Sequence, residues 1–168
     1  EFNELLNQFE GSRQVNFELV DELVARARNI SEEFANKLAK RAYSLEKRFI
    51  RDELKALTER IRESSTYDSA SIEQLILRAE KFDAQLVEEI KEKARKLQIE
   101  LINKELKEMI VRFEQNNQID QNEVDNLILK AQELDSNLAE RIQKKINNLS
   151  ISIIRKEFSK LMTYWENN

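Results

Sequence analysis

The sequence contains no histidine, no cysteine and no proline, and its single glycine is Gly11. Without histidine and cysteine the chain cannot form the usual zinc sites, a Ser-His-Asp triad, a Cys-His pair or a disulfide. One glycine is too few for a phosphate-cradling loop, and the lack of proline and glycine leaves little material for β-turns. The sequence therefore predicts an all-α protein that is not an enzyme and has no catalytic, cofactor-binding or metal-binding residues.

Neither sign of charge dominates, because the sequence has 28 basic and 32 acidic residues and a net charge of −4. The two signs alternate along the chain, so no basic stripe offers a surface for nucleic acid or anionic lipid. No apolar run approaches the roughly 18 residues that a membrane-spanning helix needs. We therefore expect neither nucleic acid binding nor membrane insertion. The absence of cysteine suits an exported protein, which favours a secreted or bacterial surface location.

What the sequence does contain is a repeat of 52 residues. The stretch Asp83–Gln115 has the apolar spacing of one long amphipathic helix, and it recurs from Ser31 and from Asp135. Residues 53–104 and 105–156 share 18 identities over 52 aligned positions. The pattern predicts units at about 1–52, 53–104 and 105–156 and a partial unit at 157–168. Because the sequence starts and stops inside long helices, we expect it to belong to a longer array.

Each unit is predicted to contain a long helix, a short loop, a short helix and a corner of one or two residues. The predicted N-caps of the short helices, at about 17–29, 69–81 and 121–133, are Asn16, Asp68 and Asp120, and those of the long helices are Ser31, Asp83 and Asp135. Apolar residues flank the caps as hydrophobic staples: Val15/Val20, Tyr67/Ile72, Ile119/Val124, Ile30/Ala35, Phe82/Val87 and Leu134/Ala139. The predicted loops are Gly11–Val15, Ser64–Tyr67 and Asn116–Ile119. The corners have no glycine, so we expect packing to hold them.

The predicted core follows the apolar stripe of the long helices. In the central long helix the stripe consists of Leu86, Ile90, Ala94, Leu97, Leu101, Leu106, Met109 and Phe113. The short helices carry three successive apolar residues, namely Leu23-Val24-Ala25, Leu75-Ile76-Leu77 and Leu127-Ile128-Leu129. So wide a face indicates either a core helix covered on two sides or one wall of a partner groove.

A few residues depart from the repeat pattern. We expect Phe158, Leu161 and Trp165 to be less covered than their equivalents, which leaves Trp165 as an end cap or an interface residue. Ile99 and Ile151 fall off the stripe, either as a contact spot or without consequence. The segment Asp120–Asp125 resembles a calcium loop, but it lacks the turn glycine and the terminal glutamate. We therefore interpret Asp120 as a helix cap.

The favoured architecture is a rod or crescent of stacked helical units, either spectrin-like bundles joined by continuous helices or an α-solenoid. A regular, extended surface without a reactive pocket predicts a scaffold that binds a protein partner, as a monomer or weak dimer. The alternative is a passive spacer or stalk of a larger surface or cytoskeletal protein. These two readings differ in whether any partner binds.

The order of long helix, short loop, short helix and corner over about 50 residues resembles the N-terminal repeat domain of the rickettsial surface autotransporter that mimics formins. Continuous passage of one helix between units is also similar to spectrin-type rods, although spectrin repeats are about twice as long. The first resemblance implies a crescent that embraces actin subunits and promotes actin nucleation or elongation. It implies actin as the partner and identifies no site residue in this chain.

Overall fold

The computed structural model of the chain describes residues 2–167. Within this range the chain forms helices α1 (Phe2–Ser12), α2 (Phe17–Arg28), α3 (Glu32–Ser64), α4 (Ser69–Glu80), α5 (Ala84–Asn116), α6 (Gln121–Leu134) and α7 (Ser136–Glu166). None of the described residues forms a β-strand, and the predicted all-α fold is confirmed. The short helices α2, α4 and α6 start at residues 17, 69 and 121, and the long helices α3, α5 and α7 start at residues 32, 84 and 136.

Polar side chains begin the short and long helices at the predicted caps. The Asn16 side-chain oxygen accepts hydrogen bonds from the backbone N–H groups of Glu18 and Leu19, at 3.0 and 3.3 Å. The other caps accept first-turn N–H groups in the same way: Ser31, Asp68, Asp83, Asp120 and Asp135. Each bond satisfies a donor that the start of a helix leaves unpaired, which stabilises the helix by about 1 kcal/mol.

The loops after α1, α3 and α5 each begin with a residue in the left-handed region. Arg13, Ser65 and Asn117 have φ angles of 53°, 56° and 51°. A left-handed residue directly after a helix ends it, and glycine adopts this conformation at the lowest cost. The only glycine, Gly11, lies instead in the last turn of α1. The predicted loop starts at Gly11, Ser64 and Asn116 are therefore too early, because α1 continues to Ser12 and the other two residues end α3 and α5.

The corners between short and long helices use ordinary right-handed or extended backbone. In the first corner the N–H groups of Ile30 and Ser31 both donate to the carbonyl oxygen of Ala27, at 2.9 Å each. Ala79 accepts the N–H groups of Phe82 and Asp83 and Ala131 accepts that of Asp135 in the later corners, and all three alanines are buried. The sequence indicated a corner held by packing, but these hydrogen bonds also fix the bend.

The chain divides into two compact units, which are distinct from the 52-residue repeats. The first unit ends at Ala94 and the second begins at Arg95, so the boundary lies within α5. In the first unit α1 lies in a groove between α2 and α3. The core there consists of Leu5, Phe9, Val15, Val20, Ala42, Leu45 and Phe49. A smaller cluster of Ala27, Ala35 and Leu38 continues it toward the corner.

The buried face of α3 changes direction in the middle of the helix. In its first half the buried apolar residues are Ala35, Leu38, Ala42, Leu45 and Phe49, and in its second half they are Ile50, Leu54, Leu57 and Ile61. The two stripes are out of step by one residue, which is about 100° around a helix. The first stripe packs against α1 and α2, and the second half of the helix packs against α4. One helix therefore serves as a wall for two adjacent cores.

The second unit has a core built from α5, α6 and α7. Its buried residues are Ile102, Leu106, Met109, Phe113, Val124, Leu127, Ala131, Leu138, Ala139, Ile142, Ile146, Leu149 and Ile153. The second half of α5 therefore occupies a groove between α6 and α7. In the first unit, α1 occupies the corresponding groove.

Two predicted core assignments are wrong. Leu101 is only half-buried, and Ile102 is buried in its place, because the stripe of α5 shifts by one residue at this point as the stripe of α3 does. Ile30 is 82% exposed, so it forms no staple with Ala35. The staples at Val15, Ile119 and Leu134 are confirmed, since each residue packs in the same core as its predicted partner.

Candidate protein-binding surfaces

Two leucines at the same position of two short helices face outward. Leu77 in α4 and Leu129 in α6 are 61% and 63% exposed, whereas Leu75 and Leu127 are fully buried. Three successive helical residues span about 200°, which is wider than the surface that the neighbouring helices cover. The expectation of a short helix covered on two sides is therefore right for the first residues of each triplet and wrong for Leu77 and Leu129. An apolar side chain on an otherwise polar face suits contact with a protein.

The second half of α7 has an exposed apolar face. Its members follow helical spacing and are all exposed: Ile154, Phe158, Leu161, Met162 and Trp165. The corresponding residues of α3, from Ile50 to Ile61, are buried. The expectation that Phe158, Leu161 and Trp165 are less covered than their equivalents is confirmed.

Three aromatic rings from separate elements meet in the first unit. Phe17 at the start of α2 and Phe82 in the corner before α5 lie 5.4 and 5.7 Å from the ring of Tyr43 in α3, measured between centroids. Phe17 and Phe82 are themselves 5.7 Å apart, and all three side chains are half-buried. The sequence does not indicate this cluster, because its members occupy three unrelated positions of the repeat. Its rings fix the start of α2 and the corner onto the middle of α3.

A buried carboxylate connects three elements of the first unit. Glu46 of α3 is 3% exposed, and its carboxylate accepts the N–H of Val15 at 3.2 Å and two guanidinium N–H groups of Arg78 at 2.8 and 3.1 Å. Arg78 of α4 also donates to Glu53. Burial disfavours the charged guanidinium, but the hydrogen bonds that Arg78 donates to Glu46 and Glu53, with the attraction of the two carboxylates, outweigh that effect, so the pKa of Arg78 is raised. In the second unit Lys130 and Glu105 form an exposed pair at 2.9 Å.

Two helix caps carry carboxyl groups with shifted acidity. Lys47 donates to Asp83, and together with the N–H groups of Leu86 and Gln85 it lowers the pKa of that carboxyl. The hydroxyl and N–H of Ser71 donate to Asp68 at 2.7 and 3.0 Å and lower its pKa likewise. Both shifts follow from the hydrogen bonds that these caps accept.

The remaining candidate residues have structural positions. Asp120 caps α6, as interpreted from the sequence. Ile99 packs partly against the core of the second unit, whereas Ile151 is exposed. In the part of the chain that the structure describes, no three His, Cys, Asp or Glu side chains come together in a way that could hold a metal ion.

Across residues 2–167 no helix combines the length and the apolar character that a membrane span requires. Comparison of the chain with protein-family models, with curated proteins and with solved structures gives no match.

Proposed function

We propose that this chain is a non-enzymatic helical-repeat scaffold that binds a protein partner, with actin as the partner to test first. In this proposal the 52-residue units stack into an elongated rod or crescent, and the exposed face of the short helices contacts the partner. The array part rests on helix starts at 17, 69 and 121 and at 32, 84 and 136. It also rests on left-handed residues at 13, 65 and 117, which follow the same period. Stacked repeats present a long regular surface, which suits protein binding.

The observation that carries the proposal is the outward position of Leu77 and Leu129. Each follows a buried leucine and a half-buried isoleucine, and the other large apolar side chains of α4 and α6 are buried or half-buried. Position 25, the equivalent in α2, holds an exposed alanine, so this apolar contact is present in two of the three short helices. A partner that contacts successive short helices would gain affinity from each contact.

The actin form of the proposal is tested by pyrene-actin assembly and cosedimentation with actin filaments. The expected result is a changed assembly rate and cosedimentation for the unmodified chain, and loss of both for a variant that carries Leu77→Asp and Leu129→Asp. The matched control is Val111→Asp, which places the same charge at a half-exposed apolar position of α5. If the unmodified chain neither cosediments nor alters the rate, actin is excluded as the partner.

The alternative proposal is a passive spacer. Exposed ion pairs favour it, for example Arg48–Glu10 and Arg51–Glu89 at 2.8 Å each. Such pairs indicate that the helix faces that carry them are in contact with water. A spacer predicts a straight rod by small-angle scattering and no partner that depends on Leu77 or Leu129. A curved particle together with leucine-dependent binding would contradict it.

A further inference from the structure

Acidic side chains flank the exposed leucine of α4. Glu73 precedes Leu77 by four residues and Glu80 follows it by three, and all three side chains are exposed. Residues three or four apart on a helix are neighbours, with about 5–6 Å between their Cβ atoms. Leu77 therefore lies between two carboxylates along the axis of α4.

The same arrangement is present in α6. Asp125 precedes Leu129 by four residues and Glu133 follows it by four, and these side chains are exposed as well. Asp125 accepts a hydrogen bond from the uncharged side chain of Gln121 at 2.7 Å, which leaves its negative charge in place. The first of the two acids is a feature of the repeat, because Asp21 occupies the equivalent position in α2.

The cations next to the leucines are directed to other parts of the structure. Arg78 donates to two carboxylates of α3, and Lys130 donates to Glu105 of α5 at 2.9 and 3.0 Å. Lys81, the C-cap of α4, lines a cleft beside Phe17. Within residues 2–167 none of the four flanking carboxylates forms an ion pair. Each leucine is therefore flanked by negative charge that the fold does not neutralise.

The second acid of each pair opposes the helix dipole. Glu80 and Glu133 lie in the last turn of α4 and α6, where the negative end of the dipole disfavours a carboxylate. In α2 the residue equivalent to Glu80 is Arg28, and the residue equivalent to Leu77 is Ala25. Of the three short helices, the two that expose a leucine are thus the two that end in an acid. A cation brought by a partner would compensate both the carboxylate and the helix end.

We propose that the partner contacts each of these two faces with a basic amphipathic helix, whose apolar side chains cover the leucine and whose lysine or arginine side chains pair with the flanking carboxylates. A helix suits this contact because its side chains at i and i+4 have the same spacing as the acid and the leucine. This assignment rests on the proposed function, in which Leu77 and Leu129 contact the partner, and it adds the charge of the surface that they meet. One exposed ion pair raises affinity by at most about fivefold, so a partner that engages both faces binds much more tightly than a single helix.

The first test measures the binding of two labelled peptides to the full chain by fluorescence anisotropy. One peptide of about 18 residues, long enough to form a helix, carries leucine along one helical face and lysine elsewhere, and the other carries glutamate in place of every lysine. We expect the lysine peptide to bind at least about tenfold more tightly, because two carboxylates flank each leucine. Leu77→Ala with Leu129→Ala should remove this binding. Equal affinity for the two peptides, or no binding of either, would overturn the proposal.

The second test reverses the charge beside the leucines. Glu73→Lys with Asp125→Lys should weaken binding of the lysine peptide by at least about fivefold. The matched control is Glu108→Lys with Glu114→Lys, which makes the same change in net charge around the half-exposed Val111 of α5 and should leave the affinity within about twofold. All four acids are exposed, so far-UV circular dichroism should show unchanged helix content in both variants. An equal loss of binding in the two variants would show attraction to net charge alone and would overturn the proposal.

Actin binding by the same variants separates this contact from the proposed function as a whole. If actin binds through Leu77 and Leu129, and Glu73→Lys with Asp125→Lys leaves that binding unchanged, the contact face stands and the basic partner helix is excluded. If actin does not bind but the lysine peptide binds through both leucines, actin is excluded and the basic helix stands.

Discussion

Replacing Arg78 by methionine isolates the energetic role of the buried carboxylate in the first unit. Arg78→Met keeps the length and apolar stem of the side chain but removes both hydrogen bonds to Glu46, which then retains only the Val15 N–H. Leaving one charge of a buried pair without its partner costs about 3–5 kcal/mol. The Arg78 side chain is 27% exposed, so water relieves part of that cost. We expect a loss of about 2–3 kcal/mol, which lowers Tm by roughly 5–10 °C for a chain of this length.

The assay is urea unfolding followed by far-UV circular dichroism. Adding Glu46→Gln to Arg78→Met should recover about 1 kcal/mol, because the amide removes the stranded charge and still accepts the Val15 N–H. The matched control is Lys130→Met, which breaks the exposed pair with Glu105 and should cost less than about 1 kcal/mol. Equal losses for Arg78→Met and Lys130→Met, or a further loss on adding Glu46→Gln, would refute the argument from burial.

Two further predictions concern the helix ends. Asn117→Gly should raise the free energy of unfolding by about 0.5 kcal/mol, because the φ of 51° at this position suits glycine. Asn117→Val should lower it by about 1–2 kcal/mol, because a β-branched residue is strained at that φ. Equal urea midpoints for the two variants would contradict this. The pKa of Asp83 is lowered in the folded chain by its bonds with Lys47 and with first-turn N–H groups, so its contribution is present at neutral pH and is lost as pH falls from the ordinary aspartate pKa through that lowered value. Asp83→Asn cannot titrate, so its deficit in urea midpoint should shrink between pH 7 and acid pH, and a constant deficit would count against the ion pair.

The sequence predicts the helices well because their starts depend on local chemistry. A capping side chain such as Asp120 acts on N–H groups two or three residues away, so the signal and its effect lie in one short window. The apolar spacing of the long helices likewise reports burial directly. For this reason the sequence alone indicates helix starts that agree with those of α2 to α7.

The sequence fails where distant residues determine burial. Glu46 lies in a charged run, and only Val15 and Arg78, which are 31 and 32 residues away, make its burial favourable. The choice of Ile102 over Leu101 depends on which neighbouring helix the second half of α5 contacts, and two adjacent apolar residues do not distinguish this. The exposed positions of Leu77 and Leu129 depend on how far the neighbouring helices extend around α4 and α6, which periodicity does not specify.

The mid-helix change of face in α3 has a consequence for cooperativity. Helix α2 packs on the first half of α3 and α4 on the second half. The short helix that docks first therefore bears the entropic cost of ordering α3. The other then docks on a wall that is already rigid, so the two favour each other's docking through the stiffness of one backbone. Melting either short helix should accordingly loosen the opposite half of α3, so that a defect near one end of this helix weakens packing near its other end.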